Sequence, residues 1–175
     1  GSNFLEAVAE VTTIVMDKTG TLTKGEFKVS EIVASGISEE RLLEIAAYGE
    51  SFSTHPIAAS IKEAYDNKID TDRVKEISGH GVELLLDGKE TLVGNGKLLK
   101  SHSIAYEEHK SGGTVVYVAY DNTFVGAIVI SDTIKDGAKE AVADMKKVGV
   151  KNVVMLTGDR QKAAEEVAKE LGIDT

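Results

Sequence analysis

The chain of 175 residues contains no cysteine. Disulfides, thiolate metal sites and thiol catalysis are thereby excluded, and the chain carries no redox chemistry of its own. Positive charge is also scarce: 29 acidic residues outnumber 20 basic ones, the net charge is −9, and Lys and Arg form no run that could track a phosphate backbone. A nucleic-acid or anionic-membrane surface does not fit that balance. Long apolar runs are missing as well. Stretches such as residues 127–130 last only a few positions, against the ~20 needed to cross a bilayer, so the chain is expected not to insert into a membrane. There is no internal repeat, low-complexity linker or signal-peptide pattern, and Gly1-Ser2 reads as a scar of tag removal outside the fold. What is present is a globular balance, 42% hydrophobic and 28% charged, in a length that suits one ordinary domain or two small ones.

Two short apolar, β-branched runs organise the ends of the chain. Residues 12–16 (Thr-Thr-Ile-Val-Met) suit a buried parallel strand and lead into Asp17-Lys18-Thr19-Gly20-Thr21. Residues 152–156 repeat the pattern and lead into Thr157-Gly158-Asp159. Around the second strand, Ala138, Val142, Met145 and Val148 form one helical stripe, and Ala164, Val167, Ala168 and Leu171 another. Gly149 and Gly172 stand at expected C-caps, with Asp136 and Asp159 near the helix starts. This pattern predicts a parallel α/β layer whose ligands bind beyond the carboxyl ends of the strands. Between residues 31 and 130 the pattern changes. Residues 38–48 and 55–65 predict a helical hairpin, followed by short strands at 74–77, 82–86, 91–93, 114–120 and 124–130 with turns at Asp87-Gly88 and Asp121-Asn122. The expected organisation is an antiparallel α+β module, 31–130, inserted between residues 1–30 and 131–175 of the α/β one.

The strongest chemical signal is Asp17 at the end of a buried strand. An ionised carboxylate can attack phosphorus directly and form an acyl phosphate if Mg²⁺ and nearby donors offset the repulsion between two anions. Gly20 lets the backbone turn sharply, and Thr19 and Thr21 supply hydroxyls and carbonyls. In isolation a strand-end Asp is more often only a turn or cap residue. In the insert, the ring of His55 offers a face on which a purine can stack, and Pro56 suits the first turn of a helix that would fix it. Gly79-x-Gly81 alone could be a plain turn, and Gly96-Lys97 completes no P-loop. His80, His102 and His109 share no metal-ligand spacing and read as surface or turn residues.

The whole string Asp-Lys-Thr-Gly-Thr-Leu-Thr at 17–23 resembles the phosphorylation motif of the P-type ATPases, ion pumps of the haloacid dehalogenase superfamily. Thr157-Gly158-Asp159 is similar to that family's next motif, and Asp132-Thr133-Ile134-Lys135 resembles the Asp-x-x-Lys/Arg segment where the chain re-enters the phosphorylation domain. In the insert, Glu50, His55-Pro56, Gly79-His80-Gly81 and Gly94-Asn95 resemble the nucleotide-binding domain of the heavy-metal branch, and residues 21–27 look more like zinc, cadmium and lead exporters than copper exporters.

The resemblance implies an incomplete Rossmann-like haloacid dehalogenase core, in segments 1–30 and 131–175, with an inserted antiparallel α+β nucleotide-binding domain, 31–130. It implies ATP and Mg²⁺ as cofactors. Asp17 would be the nucleophile, Asp17 and the Thr19 carbonyl would hold the metal, and Lys18, Thr157, Gly158 and Asp159 would surround the phosphate. Glu50, His55, Gly79, Gly81, Gly94 and Asn95 would hold the nucleotide. Transmembrane and actuator domains would be partners at the cytoplasmic face of a membrane. Because residues 174–175 precede the place of the family's Gly-Asp-Gly-x-Asn-Asp motif, this segment alone is expected to bind ATP while accumulating little acyl phosphate. Rival readings are a soluble phosphatase of the same superfamily, a module that only binds ATP, and a copper pump. Against the phosphatase, such enzymes usually place a second Asp two residues after the nucleophile, where this chain has Thr19, and a threonine is a poor general acid or base.

Overall fold

A computed structural model of the chain describes residues 13–68, 73–156 and 161–173, the side chains at 19 and 161–163 excepted. By packing, the chain divides into two units, Gly1–Glu26 with Asp132–Thr175, and Phe27–Ser131.

In the first unit, β1 (Thr13–Asp17) pairs in parallel with β8 (Asn152–Leu156), in a register that sets Thr13 opposite Asn152 and Asp17 opposite Leu156. The carboxyl ends of the two strands are therefore level. Alternation sends Ile14 and Met16 into a core with Leu22, Val142, Val150, Val153, Met155 and Leu171, while Val15 and Leu156 face outward. Helices α4 (Ala138–Lys147) and α5 (Gln161–Leu171) supply Val142, Ala168 and Leu171 to that core. Full burial of a Val or Leu side chain contributes roughly 1.5–3 kcal/mol. Both helices end as their glycines predict. Val150 N–H returns to the Met145 carbonyl at 3.2 Å and Ile173 N–H to the Ala168 carbonyl at 2.8 Å, the six-residue closure of a left-handed C-cap. One detail differs from the sequence pattern: Val148 is the C-cap of α4 and 57% exposed, so the apolar stripe ends at Met145. Asp136 stands near the helix start as expected, one residue before the N-cap Gly137, and lies 3.7 Å from the Lys24 ammonium.

The second unit is built on a six-stranded sheet of order β2-β7-β6-β5-β4-β3. The strands are β2 (Thr23–Ala34), β3 (Lys75–Ile77), β4 (Gly81–Leu86), β5 (Lys89–Gly94), β6 (Thr114–Tyr120) and β7 (Thr123–Ile134). Asp87-Gly88 and Asp121-Asn122 have positive φ throughout, the geometry that suits a tight two-residue hairpin turn to strand twist. One face carries α1 (Glu39–Gly49) and α2 (Pro56–Ala64), which bury Leu42, Ile45, Ala46 and Ile61 against Val82, Val93, Val118 and Ile128. Ser38 caps α1 by accepting the Arg41 N–H at 3.1 Å, with Glu39 and Glu40 in the first turn. The other face carries α3 (Gly96–Ser101), whose Leu98 and Leu99 pack with Leu92, Ile104 and Tyr117. The sequence pattern shows neither α3, too short to display a helical period, nor the full lengths of β2 and β7.

Candidate phosphoryl and nucleotide sites

Asp17 is exposed and occupies the N-cap position of a one-turn π-helical segment, Lys18–Leu22, yet its carboxylate makes no capping bond. The turn is closed by its own flank: Thr23 N–H bonds the Lys18 carbonyl, and Thr23, fully buried, donates its hydroxyl to Asp132 Oδ2 at 2.6 Å. Lys135 bonds the same turn twice, through its backbone N–H to the Leu22 carbonyl at 2.9 Å and its ammonium to the Gly20 carbonyl at 2.6 Å. Lys18 is 5% exposed. Thr157, Gly158 and Asp159 lie outside the described residues; β8 is described up to Leu156, opposite Asp17.

Among the described residues, no three His, Asp or Glu side chains gather as a metal-binding group. His102 pairs with Glu83 at 2.5 Å and His109 with Glu31 at 3.1 Å. Among the described residues, a cation beside Asp17 would meet that carboxylate with no cluster of three acidic or imidazole ligands around it. That hard, carboxylate-poor set fits Mg²⁺, which keeps waters and completes its shell with phosphate oxygens.

The insert gathers a second set of residues. His55 is the N-cap of α2: its Nδ1 accepts the Ile57 N–H at 3.1 Å, which places the ring proton on Nε2, and Pro56 fixes the first turn. The loop between α1 and α2 is tied to the same helix by Ser53, whose N–H bonds the Glu50 carbonyl at 3.1 Å and whose carbonyl receives the Lys62 ammonium at 2.8 Å. Glu50 caps the end of α1. Burial holds its carboxyl above the ordinary range and the like charge of Glu76 adds to this, while the charge of Lys62 opposes it. The sequence pattern assigns no part in this to Lys62 and Glu76, because their nearness to Glu50 arises only when α2 and β3 fold back beside the end of α1.

The glycines meet across the β4–β5 ladder, where Gly81 pairs with Gly94. A Cβ on Gly81 would lie 2.3 Å from the Val93 carbonyl oxygen, and one on Gly94 only 2.2 Å from that of His80. These two glycines are thus required by the protein's own backbone, independently of any ligand. Gly79 is different, since a Cβ there would point into open space. Asn95 joins the parts: its Nδ2 donates to the Gly79 carbonyl at 2.8 Å, its Oδ1 accepts the Leu98 N–H at 3.2 Å, and its N–H bonds the His80 carbonyl at 2.9 Å. Gly49, next to Glu50, packs so close to Val93 and Val82 that a Cβ would fall 2.6 Å from Val93 Cγ2. The end of α1 is thereby set over the strands that carry Gly81 and Gly94. Glu50, Gly79, Gly81, Gly94 and Asn95 are therefore brought together, with His55 on the connected loop.

Comparison with known proteins places these features in a family context. A haloacid dehalogenase-like hydrolase family model matches residues 11–175. The chain is 49% identical over 177 residues to a cadmium, zinc and cobalt-transporting ATPase of Bacillus subtilis (strain 168), covering 99% of this chain and 25% of the relative. It is 46% identical over 178 residues to a zinc-transporting ATPase of Synechocystis sp., again covering 99% and 25%. A copper-exporting P-type ATPase of Staphylococcus aureus (strain MRSA252) is 35% identical over 188 residues, covering 100% and 23%. The chain thus spans about a quarter of the length of these relatives. Among solved structures, a zinc-transporting PIB-type ATPase in its E2.Pi state aligns with a TM-score of 0.80 at 33% identity, covering 99% of this chain and 30% of that one. The catalytic domain of the CPx-ATPase CopB-B, described for its conformational changes upon nucleotide binding, aligns at 0.69 and 29% identity, covering 99% and 63%.

Proposed function

Since the chain belongs to the haloacid dehalogenase-like hydrolase family, we propose that it is the cytoplasmic ATP-binding and phosphorylation unit of a heavy-metal-exporting P-type ATPase. The observation that carries this reading is the placement of Asp17: exposed, uncommitted to any cap, level with the carboxyl end of a parallel neighbour, and on a turn bonded by Lys135. Glu50, His55, Gly79, Gly81, Gly94 and Asn95 hold the nucleotide. The His55 ring stacks on the purine, the Glu50 carboxyl meets its edge, and the backbone at Gly79 lies open to it. Lys18, Thr157, Gly158 and Asp159 surround the transferring phosphate. An Asp17 carboxylate oxygen attacks the γ-phosphorus in line; its bond to phosphorus forms as the bond to the β-γ bridging oxygen breaks, and ADP leaves. Asp17 and the Thr19 carbonyl would hold Mg²⁺, which would supply positive charge against the meeting anions. No side chain with a second carboxylate stands at position 19 to activate water, so the acyl phosphate persists long enough to drive a pump. Zinc or cadmium is the transported ion on this reading, supported by the greater identity to the cadmium and zinc transporters than to the copper exporter. Transmembrane and actuator domains of the whole pump are its partners.

Calorimetry with Mg-ATP tests the nucleotide assignment. Glu50→Ala and His55→Ala should each weaken binding, while Asp17→Asn, on the other unit, should leave it unchanged. Unchanged affinity in both of the first two variants would show that the pocket is assigned wrongly.

A further inference from the structure

Segment 132–135 lies 109 residues beyond Thr23 in sequence, yet it touches the Asp17 turn at every level. The Asp132 carboxylate accepts the buried Thr23 hydroxyl at 2.6 Å, and that hydroxyl also lies 3.3 Å from the Lys18 carbonyl. The Lys135 ammonium takes the Gly20 carbonyl at 2.6 Å and its N–H takes that of Leu22 at 2.9 Å. The carbonyls on both sides of Thr19 are thus engaged or abutted, which fixes the direction of the peptide between them. Asp132 reaches the turn through Oδ2, while its Oδ1 is buried with no hydrogen-bond partner among the described residues.

We propose that segment 132–135 is a positioning element for Asp17, in which Lys135 and the Thr23–Asp132 pair hold the nucleophile's turn in the geometry that in-line attack on phosphorus requires. The proposal rests on Asp17 being the nucleophile, as above. Positioning of this kind is consequential, because a misplacement of about 1 Å at a reacting group typically costs on the order of a hundredfold in rate.

Two measurements test it. The first uses this chain: amide hydrogen exchange at Thr23 and at position 135 should accelerate about tenfold in Lys135→Met and in Thr23→Val, while Ile14, Val15 and Met16 in β1 keep their rates. Unchanged exchange in Lys135→Met, or equal acceleration throughout β1, overturns the local brace. Lys135 is exposed, so its variant remains informative if Thr23→Val does not fold. The second measurement uses the full-length pump: the rate of hydroxylamine-sensitive labelling of Asp17 from γ-labelled ATP should fall about tenfold or more in Lys135→Met at saturating nucleotide, with ATP affinity unchanged, and Lys135→Arg should restore most of it. A wild-type rate in Lys135→Met, or a loss of affinity without a loss of rate, refutes the positioning role. Absence of any label on the unaltered pump would refute the phosphorylation reading and with it the purpose assigned to the brace, while the exchange result still decides whether the brace exists.

Discussion

His55 has two tasks in this structure that a pair of substitutions can separate. Its Nδ1 caps α2 by accepting the Ile57 N–H at 3.1 Å, and on the proposed function its ring face stacks on a purine. Replacing it with alanine removes both. Loss of an N-cap acceptor costs about 1 kcal/mol of stability, which for units of this size lowers Tm by roughly 3–8 °C. Loss of a stacking ring costs about 1–3 kcal/mol of binding, or roughly 5-fold to 150-fold in Kd. His55→Asn divides the two, because asparagine is among the best N-cap residues and its amide oxygen can take the Ile57 N–H, while no ring remains. The expected outcome is a Tm near that of the unaltered chain for His55→Asn, a lower one for His55→Ala, and the same 5-fold to 150-fold weakening of ATP binding in both, read by scanning calorimetry and titration calorimetry. If His55→Asn binds ATP as tightly as the unaltered chain, the residue is a helix cap alone and the stacking argument fails.

Glu50 should give a pH signature. Burial and Glu76 raise its carboxyl pKa in the folded chain, so above the unfolded value of about 4.3 the folded state holds more protons than the unfolded one, and this residue's contribution to stability declines as pH rises through that window. Urea unfolding from pH 4 to 7 should show a shallower fall in Glu50→Gln and a more stable protein at pH 7; parallel pH profiles for the two chains would contradict the burial argument. The glycines should sort by their surroundings. Gly81→Ala forces a Cβ to 2.3 Å from the Val93 carbonyl at φ +142° and should destabilise by more than about 3 kcal/mol, whereas Gly79→Ala, at φ +73° with open space around it, should cost only about 1–2 kcal/mol and weaken ATP binding out of proportion. Equal stability loss in the two variants, measured by chemical denaturation, would show that the close approach of β4 and β5 is not what requires glycine.

Several features were legible in the sequence because they arise within a few residues. The helices expected over 38–48 and 55–65 begin where the sequence places them, with Ser38 and His55 as their caps and Pro56 in the first turn of α2. Asp87-Gly88 and Asp121-Asn122 announced hairpins, because the left-handed backbone of such turns is set by those residue types alone. The string at 17–23 likewise carried the family resemblance without any help from the fold.

Tertiary structure decided the rest. That Gly81 and Gly94 need each other depends on β4 and β5 lying in one register, and the displaced protonation of Glu50 depends on burial that no spacing encodes. The support of the Asp17 turn by Asp132 and Lys135 joins groups 109 and 115 residues apart. Caps, turns and periodicity are settled by hydrogen bonds and sterics within about four residues, so they can be read along the chain. Contacts such as Thr23 with Asp132 exist only because parallel β1 and β8, a buried core beneath them and two long strands return the chain to its starting point, and that closure is a property of the packed whole.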